Sequence, residues 1–401
     1  MADDDALLTE MSLEEKIGQL LIAYVYGASA DAVTDEQGRA NLATYGIATP
    51  AEVVSKYKLG GVVLFRHATF PQAPNVEAGN LHDPTQIAAL SNGLQEAART
   101  GTGIGLLISV DQEGGRVTRV GPPATQFPSA AGLAHTGRPS LVEAAARVVG
   151  TELRAMGINQ VFAPVADVVT EPGNTVIGDR SFGSDPGLVA EFVAAQVRGF
   201  TAAGVVSTAK HFPGHGGTVV DSHQALPIVD RTLPEWMVID RPPFEAAVRA
   251  GTQAVMMGHL AVPALDASGR PATLSAPITD HLRHNLRFDG IIVTDSLLMR
   301  GVRDGRTDEE VAIQALEAGA DMLLMPPDPT RAIAAITAAV KSGRLTEARI
   351  DQSLTRVLHL KEQLDLLTPP PASTDSLPSV IGSPAHQAVL AQVQEACRCS
   401  D

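Results

Sequence analysis

Short apolar segments recur along the chain, and stretches with helical spacing of apolar and polar residues separate them. The segments are rich in β-branched residues, and they run over 19–25, 60–65, 105–111, 160–167, 205–211, 254–260, 290–295 and 320–325. Continuously apolar strands that alternate with amphipathic helices are typical of a parallel sheet covered on both faces. Eight such units predict a single α/β domain folded as a (β/α)8 barrel. A doubly wound sheet is the alternative, because a short apolar run also suits a buried helix.

Helix boundaries are marked between these segments. The sequence Ser12-Leu-Glu-Glu15 has the spacing of a capping box and predicts the start of a short helix. Asp83-Pro84 and Asp185-Pro186 each place a capping carboxylate before a proline, and Gly204 predicts the end of the second of these helices. These signals support the alternation of strands and helices that the barrel requires.

The composition changes at residue 368. Residues 368–384 are rich in Pro, Ser and Thr, which is typical of a linker, and a last helical pattern covers 385–396. We therefore expect a catalytic barrel over 1–367, followed over 368–401 by a Pro-rich linker and a short C-terminal helix. No room remains for a second α/β domain.

Composition narrows the choice of partners and location. The chain has 401 residues, 44% of them hydrophobic, and a formal net charge of −15 without a basic cluster, which argues against nucleic-acid binding. The acidic start lacks the features of a secretory signal, and no apolar run is long enough to span a membrane. The two cysteines, Cys397 and Cys399, are too close together to staple the fold. We expect a cytoplasmic monomer with no membrane partner.

Titratable side chains follow five of the predicted strands. They are Asp111, Asp167, the pair Lys210 and His211, His259 and Asp295. Because the carboxyl ends of barrel strands meet at one mouth, where active sites are built, we expect these groups to converge there. For two of them another role is equally open: Asp167 suits a helix cap, and His259 suits a buried histidine with satisfied ring nitrogens.

The richest polar segment is Lys210-His-Phe-Pro-Gly-His-Gly216, followed by Asp221-Ser-His223. Asp221 and His223 stand two apart, so the carboxylate can bond one imidazole nitrogen, fix the tautomer and suit the ring to proton transfer. Asp295 directly follows a predicted strand and is held rigidly, as a nucleophile, a base or a metal ligand. Neighbours in a strand point in different directions, so one of Lys210 and His211 can bind substrate while the other braces the loop.

A metal site is the competing interpretation of this histidine-rich segment. His211 and His215 are four apart, as in helical zinc motifs, and His223 could be a third ligand. The intervening Phe-Pro-Gly prevents the helix that would bring the two rings onto one face, and Lys210 would repel a cation. We therefore expect neither a metal nor any other cofactor.

The segment 210–223 resembles the signature of bacterial β-N-acetylglucosaminidases of glycoside hydrolase family 3. Further motifs of that family stand in the same order, over about residues 12–365. They are Leu59-Gly-Gly-Val-Val-Leu-Phe65, Asp111-Gln-Glu-Gly-Gly-Arg-Val-Thr-Arg119, Phe162-Ala-Pro-Val-Ala-Asp167, Gly178-Asp-Arg-Ser-Phe182 and Val293-Thr-Asp-Ser-Leu297. Six motifs in register make the resemblance specific.

The resemblance implies a role for each matching residue. Asp295 would be the nucleophile of a retaining double displacement, and His223, polarised by Asp221, would be the general acid/base. The remaining matches would bind the sugar: Asp111, Arg119, Arg180, Lys210 and His211. His259, predicted from its strand end alone, completes the candidate substrate-binding set.

The function predicted on this basis is the removal of terminal GlcNAc from muropeptides or chitin fragments, as in cell-wall recycling. Three alternatives remain open at this point. The chain could be a β-glycosidase of other specificity, or a phosphorylase, because a histidine acid/base repels phosphate less than a carboxylate does. It could also be a sugar-binding barrel that has lost turnover. The small carbohydrate substrate is common to all of them.

Overall fold

The structure, a computed structural model, describes residues 8–367 and 371–398. Its strands are Leu21–Tyr24 (β1), Gly61–Val63 (β2), Leu107–Val110 (β3), Gln112–Gly114 (β4), Val117–Thr118 (β5), Gln160–Val161 (β6), Val206–Phe212 (β7), Ala254–Met257 (β8), Ile291–Thr294 (β9) and Leu323–Leu324 (β10). Eight of these pair in parallel in the order β10-β1-β2-β3-β6-β7-β8-β9, while β4 and β5 form a separate hairpin. The predicted barrel is confirmed, and each of the eight predicted apolar segments overlaps one of its strands, with β7 extending one residue past its segment.

Helices cover the outside of this barrel. They are Leu13–Gln19 (α1), Asp35–Tyr45 (α2), Pro50–Tyr57 (α3), Pro84–Thr102 (α4), Ala130–Ala134 (α5), Pro139–Ala155 (α6), Pro186–Ala202 (α7), Leu233–Ile239 (α8), Arg241–Arg249 (α9), Ala276–Asp280 (α10), Arg300–Arg303 (α11), Asp308–Ala318 (α12), Pro329–Lys341 (α13), Glu347–Gln363 (α14), Leu377–Val380 (α15) and Pro384–Arg398 (α16). Within the described ranges, no helix combines the length and the apolar composition that crossing a bilayer requires.

The predicted helix signals act as expected. Ser12 and Glu15 form a capping box at α1, and the Asp83 and Asp185 side chains cap α4 and α7, each followed by proline. Gly204 follows the end of α7 with a φ of +71°. These caps satisfy backbone N–H groups that a helix start would otherwise leave unpaired.

The barrel closes between β9 and β10. These two strands share only a parallel bridge between Val293 and Met322, because β10 is two residues long. Side chains complete the seam: Ile292 N–H donates to Asp321 Oδ2 at 2.9 Å, and Leu324 N–H donates to Thr294 Oγ1, also at 2.9 Å. Asp321 is fully buried, and Arg283 and Arg356 pair with it. The strand that precedes Asp295 is thus fixed partly by a carboxylate.

The described residues 371–398 lie against the barrel. Ala372 exchanges two hydrogen bonds with Asn92, and the buried Glu152 of α6 accepts from Gly382 N–H at 2.9 Å and from His386 Nδ1 at 2.8 Å. Leu377, Ile381, Val393 and Ala396 are buried. Although its composition is typical of a linker, the described part of this segment packs as a continuation of the helical layer. Cys397 lies within α16, whereas Cys399 lies outside the described residues.

Candidate active site

A cavity of about 380 Å³ opens at the carboxyl ends of the barrel strands. Its titratable lining residues come from the loops and strand ends after β3, β6, β7 and β9: Asp111, Glu113, Arg119, Arg180, Lys210, His211, His215, His223 and Asp295. A larger open groove of about 670 Å³ lies among α1, α3 and α13, and none of the predicted site residues lines it. The cluster of titratable side chains, and not the volume of the cavity, therefore identifies the candidate site.

One side of the cavity is a buried chain of alternating charges, which we call the charged floor: Asp111, Lys210, Glu113 and Arg180. Lys210 Nζ lies 2.8 Å from Asp111 Oδ1 and 2.7 Å from Glu113 Oε1. Arg180 meets Glu113 in a bidentate pair, with Nε and Nη2 each 2.8 Å from a carboxylate oxygen. The Lys210 and Glu113 side chains are each only 3% exposed, so solvent barely screens these contacts.

The floor keeps its members ionised. Burial by itself would raise the pKa of Glu113, but Lys210 and Arg180 outweigh it and lower that pKa to about 2. Burial would likewise lower the pKa of Lys210, yet Asp111 and Glu113 raise it above its ordinary value. Both carboxylate and ammonium are therefore charged over the whole physiological range.

Lys210 and His211 both line the cavity, although neighbours in a regular strand point to opposite faces. The register of β7 against β8 shifts between Lys210 and Phe212, so His211 is the extra residue of a bulge. Asp167 supports this bulge from behind: it is fully buried, and its carboxylate accepts from His211 Nδ1 at 2.7 Å and from His215 N–H, also at 2.7 Å. Asp167 thus braces the β7 end instead of capping a helix.

Asp295 follows β9 directly and lies in the cavity wall. Its Oδ1 accepts a hydrogen bond from Ser296 N–H at 2.7 Å. Burial alone would raise the pKa of Asp295, but the nearby His211 imidazole and the Ser296 amide hold it below its ordinary value. A fixed carboxylate that stays ionised in a partly desolvated site is suited to attack an electrophilic carbon.

The Asp221–His223 pair lies on the loop after β7. His223 Nδ1 is 2.8 Å from Asp221 Oδ1, which also accepts from the His223 backbone N–H at 2.9 Å. Burial would raise the pKa of Asp221, yet both contacts with His223 lower it below its ordinary value. The His223 side chain is 66% exposed while it lines the cavity. The ionised carboxylate therefore occupies Nδ1 and leaves Nε2 as the free ring nitrogen.

The two remaining residues predicted to bind substrate, Arg119 and His259, lie in different places. Arg119 lines the cavity, and its buried Nε has no hydrogen-bond partner. His259 does not line it: its Nδ1 lies 2.8 Å from Thr273 Oγ1 and its Nε2 lies 2.9 Å from the Ser296 carbonyl oxygen. Burial lowers the pKa of His259. His259 therefore supports the turn after Asp295 from behind the wall.

Two polar residues of the site, Glu113 and His215, were not among the catalytic and substrate-binding residues predicted from the sequence. Glu113 joins Lys210 to Arg180, and its only signal was its place two residues after Asp111, in the hairpin that follows β3. His215 is buried, with Nε2 3.2 Å from Ser222 Oγ and no hydrogen-bond partner for Nδ1. Burial lowers its pKa. Among residues 8–367 and 371–398, no three His, Cys, Asp or Glu side chains are arranged to hold a metal ion.

Known proteins are similar to this chain over most of its length. A model of the glycosyl hydrolase family 3 N terminal domain matches residues 12–360. The chain is 36% identical over 372 residues to beta-hexosaminidase A of Pseudoalteromonas piscicida, a match that covers 86% of this chain and 59% of that protein. The chain therefore spans about three fifths of that relative's length.

Two solved structures show the same architecture. A glycoside hydrolase family 3 beta-N-acetylglucosaminidase from Paenibacillus sp. str. FPU-7 matches with a TM-score of 0.84 and 37% identity, covering 96% of this chain and 69% of that one. The beta-glucoside phosphorylase BglX matches with a TM-score of 0.83 and 25% identity, covering 98% of this chain and 66% of that one.

Proposed function

The chain belongs to glycosyl hydrolase family 3, and from this premise we propose that it is a retaining exo-β-N-acetylglucosaminidase. Its substrates would carry terminal β-linked GlcNAc, as muropeptides and chitooligosaccharides do. The similar protein from Pseudoalteromonas piscicida is named a beta-hexosaminidase, and that from Paenibacillus a beta-N-acetylglucosaminidase. The single observation that supports the mechanism is that an ionised Asp295 and the Asp221-bound His223 line one cavity.

In the first step, an Asp295 carboxylate oxygen attacks the anomeric carbon while the bond to the leaving oxygen breaks. His223 Nε2, as imidazolium, gives its proton to that oxygen, so the aglycone departs as a neutral alcohol. Asp221 keeps the ring oriented and stabilises its positive charge before transfer, because Nδ1 and the carboxylate remain bonded.

In the second step, the neutral His223 takes a proton from water as the water oxygen attacks the anomeric carbon of the glycosyl-enzyme. The bond to Asp295 breaks, the carboxylate is restored, and the sugar leaves with its original configuration after two inversions. The low pKa of Asp295 favours its role as the leaving group in this step.

The charged floor would bind the sugar in both steps. Asp111 is the most accessible member, with 21% of its side chain exposed, and offers an acceptor for sugar hydroxyls. Arg180, Lys210 and the partly unpaired Arg119 offer donors. Because the floor is assembled before substrate arrives, binding requires little further ordering of side chains.

The test is the rate on 4-nitrophenyl β-GlcNAc compared with the matching β-glucoside, for wild type and His223→Ala. We expect a strong GlcNAc preference, with the variant impaired most on substrates with poor leaving groups. A preference for the glucoside would leave the proposed role of Asp295 intact but overturn the hexosaminidase assignment. Asp295→Ala separates an enzyme from a sugar-binding barrel, because only an enzyme loses turnover.

Phosphorolysis is a second candidate, favoured by the likeness to a beta-glucoside phosphorylase and by the use of a histidine at the acid/base position. Phosphate oxygen would replace water in the second step and give the sugar 1-phosphate. Product analysis in high phosphate distinguishes the two, since only free sugar is expected from a hydrolase. The predicted cytoplasmic location and monomeric state are tested by cell fractionation and by light scattering.

A further inference from the structure

The loop that carries Asp221 and His223 has a narrow neck. The neck is formed by Gly216 and Gly217 at its start and by Arg231 at its end, and residues 218–230 lie between them. A surface loop whose two ends lie close together keeps its shape only if the ends are held. The contacts at the neck therefore decide where His223 lies.

Arg231 joins both ends of the loop to the body of the barrel. Its Nε lies 2.6 Å from Asp240 Oδ2, at the junction of α8 and α9. Its Nη2 donates to Thr170 Oγ1 at 2.6 Å, in the segment that follows β6. The Arg231 side chain is 13% exposed and Asp240 is fully shielded, so the contact holds the end of the loop from inside the protein. It is a close contact without hydrogen-bond geometry, and burial raises the pKa of Asp240 to about 7 although Arg231 opposes that rise.

The start of the loop lies flat against the same guanidinium. A side-chain carbon on Gly217 would lie 2.8 Å from Arg231 Nη2 and 3.2 Å from its Cζ, so only glycine allows this approach without displacing the guanidinium. Gly216 is tighter still, because a side-chain carbon there would lie 1.9 Å from the Val168 carbonyl oxygen. The Gly216 carbonyl accepts from Thr170 N–H at 3.2 Å, which brings the loop start to the residue that Arg231 also binds.

The loop has two further anchors between its ends. The Ser222 carbonyl accepts from Gly301 N–H at 3.0 Å, and the Ser222 hydroxyl lies 3.2 Å from His215 Nε2. Nearer the neck, Ile228 forms a parallel bridge with Ala261, in which Val229 N–H donates to the Ala261 carbonyl at 2.9 Å. His223, one residue after Ser222, bonds among the described residues only to Asp221 of the same loop, and it stays 66% exposed. Three anchors, the neck, the Ile228 bridge and Ser222, thus define the position of an otherwise exposed acid/base.

We propose that Arg231 is a positioning residue. It closes the neck of the loop over residues 216–231, which we call the catalytic loop, and thereby holds His223 for proton transfer. The proposal rests on the proposed function of His223. A guanidinium suits this place because its planar fork reaches Asp240 and Thr170 at once while its face covers Gly217. A lysine ammonium would keep a charge beside Asp240 but could not make all three contacts.

The first measurement is hydrogen exchange of residues 218–230 in Arg231→Lys, followed by mass spectrometry. Exchange should rise at least about tenfold over wild type in this segment, as expected for a loop that opens locally, and should stay unchanged in the barrel strands. Arg241→Lys is the matched control, because Arg241 directly follows Asp240 but pairs with Glu245 at 3.6 Å. Unchanged exchange in Arg231→Lys would overturn the proposal.

Should Arg231→Lys fail to fold, Gly217→Ala tests the same neck, since its methyl group displaces only the flexible guanidinium. An intact melting transition with increased exchange of residues 218–230 would support the proposal. An intact transition without that increase would contradict it.

The second measurement compares kcat/KM on GlcNAc glycosides with good and poor leaving groups, with His223→Ala as reference. Arg231→Lys should lose about 10- to 100-fold on the poor leaving group and little on the good one. Equal losses on both would overturn the positioning role if His223→Ala shows leaving-group dependence. If His223→Ala shows none, the failure lies in the proposed acid/base function instead.

Discussion

The charged floor and the catalytic loop are opposite in construction, although they line the same cavity. In the floor, Lys210 and Glu113 are 3% exposed and each charge has a partner within 3 Å. On the loop, His223 is 66% exposed, and within the described part of the chain its ring is bonded only to Asp221. Under the proposed function this difference implies two roles: the floor would fix where the sugar lies, and the loop would supply a proton from an exposed side chain.

This division has an energetic reason. Burying the floor's charges is costly and is offset only by close pairing, so the floor cannot move without losing free energy. The loop carries no comparable buried network of charges beyond its neck, and in the proposed mechanism its histidine gives one proton to the leaving oxygen and takes one from water in each turnover. Four measurements sharpen or break the comparison.

The largest effect should come from the cavity wall itself. Asp295→Ala removes the attacking carboxylate, and we expect kcat to fall by at least about 10⁴-fold, as for other catalytic nucleophiles. The free energy of unfolding should change little, because Asp295 has one local backbone bond and no ion-pair partner within 4 Å among the described residues. Steady-state kinetics and denaturant unfolding check both parts, and retained turnover would contradict the assignment.

On the loop, His223→Ala should lower kcat/KM by about 10²- to 10⁴-fold on alkyl glycosides and much less on aryl glycosides with good leaving groups. Because the side chain is exposed, the free energy of unfolding should remain within about 0.5 kcal/mol of wild type. A large loss of stability would show that the loop is as tightly integrated as the floor, and the comparison would then fail.

In the floor, Glu113→Gln should lower the free energy of unfolding by about 3 kcal/mol, because it leaves Arg180 and Lys210 short of a buried counter-charge. The matched control is Asp221→Asn, which removes a carboxylate from the loop. Denaturant midpoints measured side by side should fall for the floor variant and barely move for the loop variant.

The smallest effect is a pH dependence. The folded-state pKa of Glu113 is about 2, below its ordinary 4.5, so the carboxylate contributes stability above pH 4.5 that is lost as pH falls towards 2. Glu113→Gln should therefore flatten the wild-type decline in this window by about 1 to 3 kcal/mol. Urea unfolding at a series of pH values gives the free energy of unfolding of wild type and variant as a function of pH. Parallel curves for the two proteins would exclude a stabilising role for the Glu113 carboxylate.

The sequence was sufficient for the barrel but not for its strand ends. Residues 160–167 form one apolar run, yet the continuous strand covers only Gln160–Val161. Beyond it the pairing with β7 is irregular, with an isolated bridge between Val165 and Lys210, because Pro164 has no N–H for the ladder. Phe162, Ala163 and Ala166 are still buried. An apolar pattern therefore reports which residues are shielded from water, and backbone pairing is a separate matter.

The same limit applies to the site. Asp111, Lys210 and Asp295 could be expected at the cavity because each follows or ends a strand, and strand ends converge in any barrel. The pairing of Glu113 with Arg180 spans 67 positions and depends on how a hairpin folds back. No local pattern shows that Thr273 and Ser296 hold His259 behind the wall.

The closure of the barrel between β9 and β10 affects which mutations would abolish activity. Asp321 lies at the amino end of β10, away from the cavity, and its carboxylate completes the closure against β9, the strand that carries Asp295 at its other end. A change at Asp321 would leave Arg283 and Arg356 without their buried counter-charge and would loosen the strand that positions Asp295, the proposed nucleophile. A screen for loss-of-function alleles would thus recover Asp321 alongside Asp295, and its mutants would map as catalytic lesions far from any bound sugar.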